Sequence, residues 1–203
     1  AIALGNQVFF LLMLFLLGVG SGGAVFAAQY WGRRDVAGVR KALGVSLRVA
    51  LAGALVFSAA AIAAPGLVLS AFTADSRVID VGIPYLRIVG TSYLVTAASA
   101  TFAHSLRSIG DSKLPMYASI LSISVNIVGN YVLIFGSLGF PALGVTGAAV
   151  STAVARVLEL ALILAVVYRR GGPIAASLPE LLRRDRDFAR RYLARSAPVI
   201  FNE

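Results

Sequence analysis

Ser119, Ser122, Asn126 and Asn130 follow one another at spacings of three, four and four residues, within a stretch (114–155) that contains no charged residue. Positions three and four apart share one face of a helix, so the four side chains form a polar stripe on an otherwise apolar segment. The two amides, in "SVNIVGNYVLIFG", suit two chemistries. They can hydrogen-bond between helices, at about 0.6 kcal/mol each in a membrane. Their oxygens can also ligate a hard cation, which takes oxygen donors. The spacing supports both readings.

A second stripe runs through Ala148, Thr152, Arg156 and Glu159. An ionised side chain in the middle of a membrane costs about 2.5–3.5 kcal/mol on insertion scales. Arg156 and Glu159 have opposite sign and lie one turn apart, so each can partly neutralise the other. Two roles follow: a self-satisfied pair that locks helix packing, or a proton- or ion-linked switch. A polar stripe on lipid is costly, so both stripes are expected to face the bundle interior or a water-filled cavity.

Other chemistry is scarce. There is no Cys and one His, so neither a disulfide framework nor a thiol nucleophile is available. His104 lies one turn from Arg107 and reads as structural. "GVGSGGA" places Gly18 and Gly22 at the small-xxx-small spacing of close helix approach. It lacks the Gly-Lys-Ser/Thr ending of a phosphate loop. An intramembrane enzyme would need a nucleophile–base pair or a metal cluster, and the sequence offers neither.

The elements that position these residues are apolar helices. The chain of 203 residues is 59% hydrophobic and 13% charged, with mean hydropathy +0.86. Soluble domains are about half apolar and about a quarter charged. Residues 1–32, 49–74 and 114–155 carry no charge, and such runs are long enough to span a bilayer. They are continuous rather than alternating, which favours helices over barrel strands. Five spans are expected, at about 5–30, 43–69, 80–106, 115–136 and 145–168. The fold class is all-α, a polytopic membrane bundle over 1–169. A basic amphipathic connector (170–196) follows, and then the start of another span (197–203). The chain opens inside an apolar segment without an initiator Met, so it is expected to belong to a longer protein.

The connections alternate in charge. Residues 32–41 carry four basic side chains, 107–113 two and 168–198 eight, whereas 70–80 carry one and 136–147 none. That is the positive-inside pattern, and it puts the basic connections in the cytoplasm. The net charge of +9 is therefore loop charge, and no nucleic-acid partner is expected. The connector, with Leu182, Phe188 and Tyr192 among many Arg, reads as a positive-inside anchor or as a helix drawn to anionic headgroups.

"GVGSGGAVFAAQYWGRRD", "PYLRIVG", "LRSIGDSKLP" and "VNIVGNYVLIFGSLGFPALGVTGAAVSTAVARVLE", in this order, closely resemble the multidrug and toxic compound extrusion (MATE) family. The resemblance implies two six-helix lobes around a central cavity. This chain would then cover the second to sixth helices and the first turns of the seventh, most of the N-terminal lobe. It implies a secondary antiporter that exports organic cations or drug-like compounds in exchange for Na⁺ or H⁺, with no other cofactor. The expected partners are an amphipathic or cationic small molecule, membrane lipid and the missing C-terminal lobe. The expected location is the bacterial plasma membrane. By the same resemblance, Asn126, Asn130, Ala148 and Thr152 fall on a first-lobe cation site, with Asn130 standing where one branch has Asp. Glu203 falls near a coupling carboxylate of other branches. A lipid-linked oligosaccharide flippase of the same superfamily is the alternative; it would line its cavity with several cationic residues.

Overall fold

The computed structural model of the chain describes residues 2–182, 185, 188–192 and 194. Their helices, in order, are α1 (Ile2–Gly32), α2 (Val36–Ala63), α3 (Pro65–Ser70), α4 (Ser76–Thr91), α5 (Tyr93–Ser108), α6 (Lys113–Phe135), α7 (Val145–Arg170) and α8 (Leu178–Leu182). Four of them, α1, α2, α6 and α7, are long and apolar enough to cross a membrane, and α4 with α5 makes a bent fifth.

The core is built on small side chains. Gly38, Ala42, Ser46, Ala50, Ala54, Ser58 and Ala61 are all buried on α2. They recur every three or four residues and so form one seam. A seam of small residues lets neighbouring helices approach closely, which is how helices associate when lipid supplies no hydrophobic contrast. Leu12, Leu16 and Val19 of α1, Leu86 and Val89 of α4, and Tyr93 of α5 fill in around it. The Ser58 hydroxyl donates across the seam to the Gly90 carbonyl at 2.8 Å. On α1 the close approaches come at Gly20, beside the His104 ring, and at Gly23, beside Ser46. His104 is thus a packing residue of α5. Gly18 and Gly22 are buried on the same helix.

Two expected spans have different bounds in the structure. The second, expected at 43–69, begins at Val36, because Asp35 caps the helix by accepting from the Gly38 N–H at 2.8 Å. It breaks at Ala64, ahead of Pro65, which opens α3 as its first residue. The third, expected at 80–106, is two helices meeting at 46°. The bend falls at Ser92 rather than at Pro84, which stays inside α4. Ser92 Oγ donates to the Val89 carbonyl at 2.7 Å, competing with the helical ladder beside Gly90.

The turn between α6 and α7 is set by Gly136 (φ +72°) and Gly144 (φ +54°), in the region that only glycine enters freely. Beyond it, α6 and α7 meet closely. A Cβ at Gly147 would lie 2.5 Å from the Leu133 carbonyl oxygen and 2.7 Å from its carbon, both backbone atoms. Backbone cannot yield as a side-chain tip does, so Gly147→Ala should destabilise the protein by about 1–3 kcal/mol. Equilibrium unfolding in mixed micelles checks this; an unchanged midpoint would contradict the close crossing.

The basic connections gather at one end of the bundle. Arg40 pairs with Glu180 at 3.0 Å, Lys41 with Asp185 at 2.5 Å, and Arg170 with Asp111 at 3.1 Å. The described part of the connector packs against this end of the bundle. Phe188 and Tyr192 are 1% and 0% exposed, packed against Phe26 of α1, and the Tyr192 hydroxyl donates to the Val19 carbonyl at 2.8 Å. Burying two aromatic rings outweighs what they would gain at an interface. Leu182 is exposed.

The ion pairs give the connector a pH signature. The Ser177 backbone N–H, then Arg40, holds the Glu180 carboxyl below its ordinary range. Lys41, then the Phe188 N–H, does the same for Asp185. A depressed carboxyl contributes stability above its unfolded pKa and loses it as pH falls through the folded value. The distance between spin labels at Leu178 and Ala37 should therefore hold from neutral pH down to about pH 4 and lengthen only below it. Lengthening on alkalinisation alone would contradict this assignment.

Candidate functional site

The C-terminal half of α6 leans on α7 and stands away from α1 and α4. Between them lies a cavity of about 470 Å³ whose polar lining includes Asn6, Tyr85, Asn126, Asn130, Thr152 and Arg156. α6 contributes its stripe because Ser122, Asn126 and Asn130 recur at helical spacing, and all three line the cavity. Ser119, one turn earlier, does not. From α7, Ala148, Thr152 and Arg156 line it, while Glu159 is buried one turn deeper.

The Asn residues are already knitted to α7. Asn126 Nδ2 donates to Thr152 Oγ1 at 3.2 Å and, more weakly, to Ser151 Oγ at 3.5 Å. Ser151 Oγ donates back to the Asn126 carbonyl at 3.0 Å, and Thr152 Oγ1 donates to the Ala148 carbonyl at 2.9 Å. Asn130 Nδ2 donates to Asn126 Oδ1 at 3.1 Å. The Asn130 Oδ1 atom is buried and has no hydrogen-bond partner among the described residues. An acceptor left unpaired in a low-dielectric site costs about 1–3 kcal/mol.

Arg156 and Glu159 meet, Nη1 to Oε2, at 2.8 Å, with side-chain exposures of 32% and 11%. The Arg156 guanidinium also lies over the Phe9 ring of α1, 5.5 Å from its centroid. The pair therefore ties α7 to α1 at the cavity wall. One turn before Phe9, Asn6 Oδ1 accepts from the Tyr85 hydroxyl of α4 at 3.1 Å.

The structure brings Asn126, Asn130, Ala148, Thr152 and Arg156 to one cavity, with Glu159 behind it. Glu203 lies outside the described residues. Sequence reasoning missed Asn6, Phe9, Tyr85 and Ser151. One signal was available: Asn6 and Gln7 are the only amides in the first 17 residues. Among the described residues no group of three or more His, Cys, Asp or Glu could hold a metal ion.

A family model described as MatE matches residues 1–132. The chain is 34% identical over 178 residues to "Uncharacterized transporter YisQ" of Bacillus subtilis (strain 168), covering 84% of this chain and 37% of that protein. It is 28% identical to "Probable multidrug resistance protein YoeA" of the same organism, covering 96% of this chain and 42% of the relative. It is 27% identical to "Probable multidrug resistance protein NorM" of Thermotoga maritima, covering 83% and 36%. The chain thus spans 36% to 42% of the length of these relatives. Among solved structures, an "inward-facing conformation of a multidrug resistance MATE family transporter of the MOP superfamily" superposes with TM-score 0.84 at 23% identity, over 97% of this chain and 44% of that one. At that identity the likeness is one of fold.

Proposed function

The chain belongs to the MatE family, and from that premise we propose that the protein containing it exports organic cations or drug-like amphipathic compounds in exchange for Na⁺ or H⁺. The family is one of transporters rather than enzymes. The chain itself is a multi-pass integral membrane protein, and its relatives are bacterial, which places it in the plasma membrane.

One observation carries the reading: a polar-lined cavity inside an otherwise apolar bundle, with an unpartnered amide oxygen in its wall. Polar groups at membrane depth are costly, and where they line a cavity they mark a pathway for a solute or an ion. Asn126 Oδ1 and Asn130 Oδ1 belong to adjacent, hydrogen-bonded amides. Two hard oxygens suit Na⁺ better than a soft ion. The flippase reading is not favoured, because Arg156 is the only cationic residue lining the cavity among the described residues, and it is paired with Glu159.

Ethidium efflux from vesicles carrying the full-length protein tests the proposal. An imposed inward Na⁺ or H⁺ gradient should accelerate efflux. Efflux that ignores both gradients would defeat the exchange mechanism.

A further inference from the structure

A second cavity, of about 270 Å³, lies where the last turns of α1 meet the connector. It is lined by Phe26, Gln29 and Tyr30 of α1, by Arg33 in the turn that follows it, and by Phe188 and Arg191 of the connector. The export reading does not use it. From its composition we propose that this cleft is a binding site for the phosphate headgroup of an anionic phospholipid.

Four observations support the assignment. The Arg33 and Arg191 guanidiniums have no ion-pair or hydrogen-bond partner among the described residues, unlike Arg40, Lys41, Arg156 and Arg170. The nearest described carboxylate on the connector, Asp185, is engaged by Lys41, whose ammonium lies 5.5 Å from the Phe188 ring centroid. Arg191 also feels the Asp185 carboxylate at longer range, but both guanidiniums keep their N–H donors, and with the Gln29 amide they are planar donors matched to phosphate oxygens. The aromatic walls Phe26, Tyr30 and Phe188 form a tilted cluster, with ring centroids 5.5 Å and 6.2 Å apart. Trp31, partly exposed on the same turn, is the residue type that sits at headgroup level.

The source of the phosphate is also legible. Val25 and Gln29 lie four residues apart on one face of α1, and Arg33 follows in the turn just beyond its end. Val25 is 56% exposed. The line runs from apolar to amide to cation toward the end of the bundle that carries the basic connections. That is the order of acyl chain, glycerol and headgroup in the adjacent leaflet. The positive-inside pattern makes this the cytoplasmic leaflet, where anionic lipid draws basic clefts. A soluble phosphate would have no use for the apolar end of the line.

The test is native mass spectrometry of the purified full-length protein, titrated with phosphatidylglycerol or phosphatidylcholine. Two double variants remove the same charge: Arg33→Gln with Arg191→Gln in the cleft, and Arg34→Gln with Arg190→Gln outside it. The wild type should prefer phosphatidylglycerol. The cleft pair should lose about thirty-fold in phosphatidylglycerol affinity, from about five-fold per arginine, while the outside pair stays near wild type. Millimolar inorganic phosphate should compete poorly. Equal weakening by both pairs would reduce the cleft to diffuse surface charge and overturn the proposal. So would equal binding of the two lipids. Displacement of phosphatidylglycerol by inorganic phosphate alone would make it a soluble-anion site, which also overturns it.

Discussion

Replacing Glu159 with alanine should destabilise the protein by about 3 kcal/mol, and replacing Arg156 at the same time should recover about 2 of them. The expectation follows from what each deletion leaves behind. In the native protein the guanidinium and carboxylate are 2.8 Å apart on a helix that crosses the bilayer. Glu159 is the more buried partner. Removing it strands the Arg156 charge against Phe9 with no counter-charge among the described residues. A stranded buried charge costs about 3–5 kcal/mol, and partial hydration of Arg156 from the cavity brings the figure to the lower end. The double change removes both charges and leaves only lost packing. Reversible unfolding of the single and double variants in mixed micelles closes the cycle. Additive losses would show that the two side chains do not depend on each other.

The second large effect is on activity. Asn126→Leu in the full-length protein should lower cation-driven efflux about ten-fold, because a polar partner of a charged species contributes about 1.5–3 kcal/mol. Substrate binding measured without a gradient should change little. Leucine keeps the γ-branched shape, though it is bulkier, and abolishes the bonds Asn126 donates to Thr152 and Ser151 and the one it accepts from Asn130. The hydroxyls keep their own acceptors, the carbonyls of Ala148 and Asn126. The cost in stability should therefore stay near 1–2 kcal/mol, less than that of Glu159→Ala. Asn126→Asp places a carboxylate in the same position, and transport should then gain a pH dependence. An Asn126→Leu protein that transports with the parent's dependence on both Na⁺ and pH would reduce the amide pair to helix packing.

Much of this was legible before the structure, and the reasons differ by element. The stripes through Asn126 and Thr152 could be read because helical period is local: spacing alone fixes which residues share a face. That the two faces meet follows from the short glycine turn, which forces α6 and α7 to be antiparallel neighbours. The Ser92 bend was hidden because hydropathy does not change across it. Asn6 and Tyr85 were hidden because their meeting depends on how α1 packs on α4, 79 residues apart in sequence. The packing of the connector was hidden for a physical reason. Its arginines dominate its composition, yet its position is set by Phe188 and Tyr192, buried in the bundle, and by Lys41 and Arg40 drawing in Asp185 and Glu180.

The central claim is that cation entry through the first-lobe cavity is linked to substrate exit. Its most direct test follows both fluxes at once, in liposomes containing the full-length protein and loaded with ethidium. Entry of ²²Na⁺ and internal pH are recorded while ethidium leaves. The account predicts that ethidium efflux is accompanied by entry of one of the two cations at a fixed ratio, and that Asn126→Leu lowers the cation flux and breaks that ratio. Ethidium efflux with neither cation entering, or an Asn126→Leu protein that keeps the wild-type ratio, would contradict it.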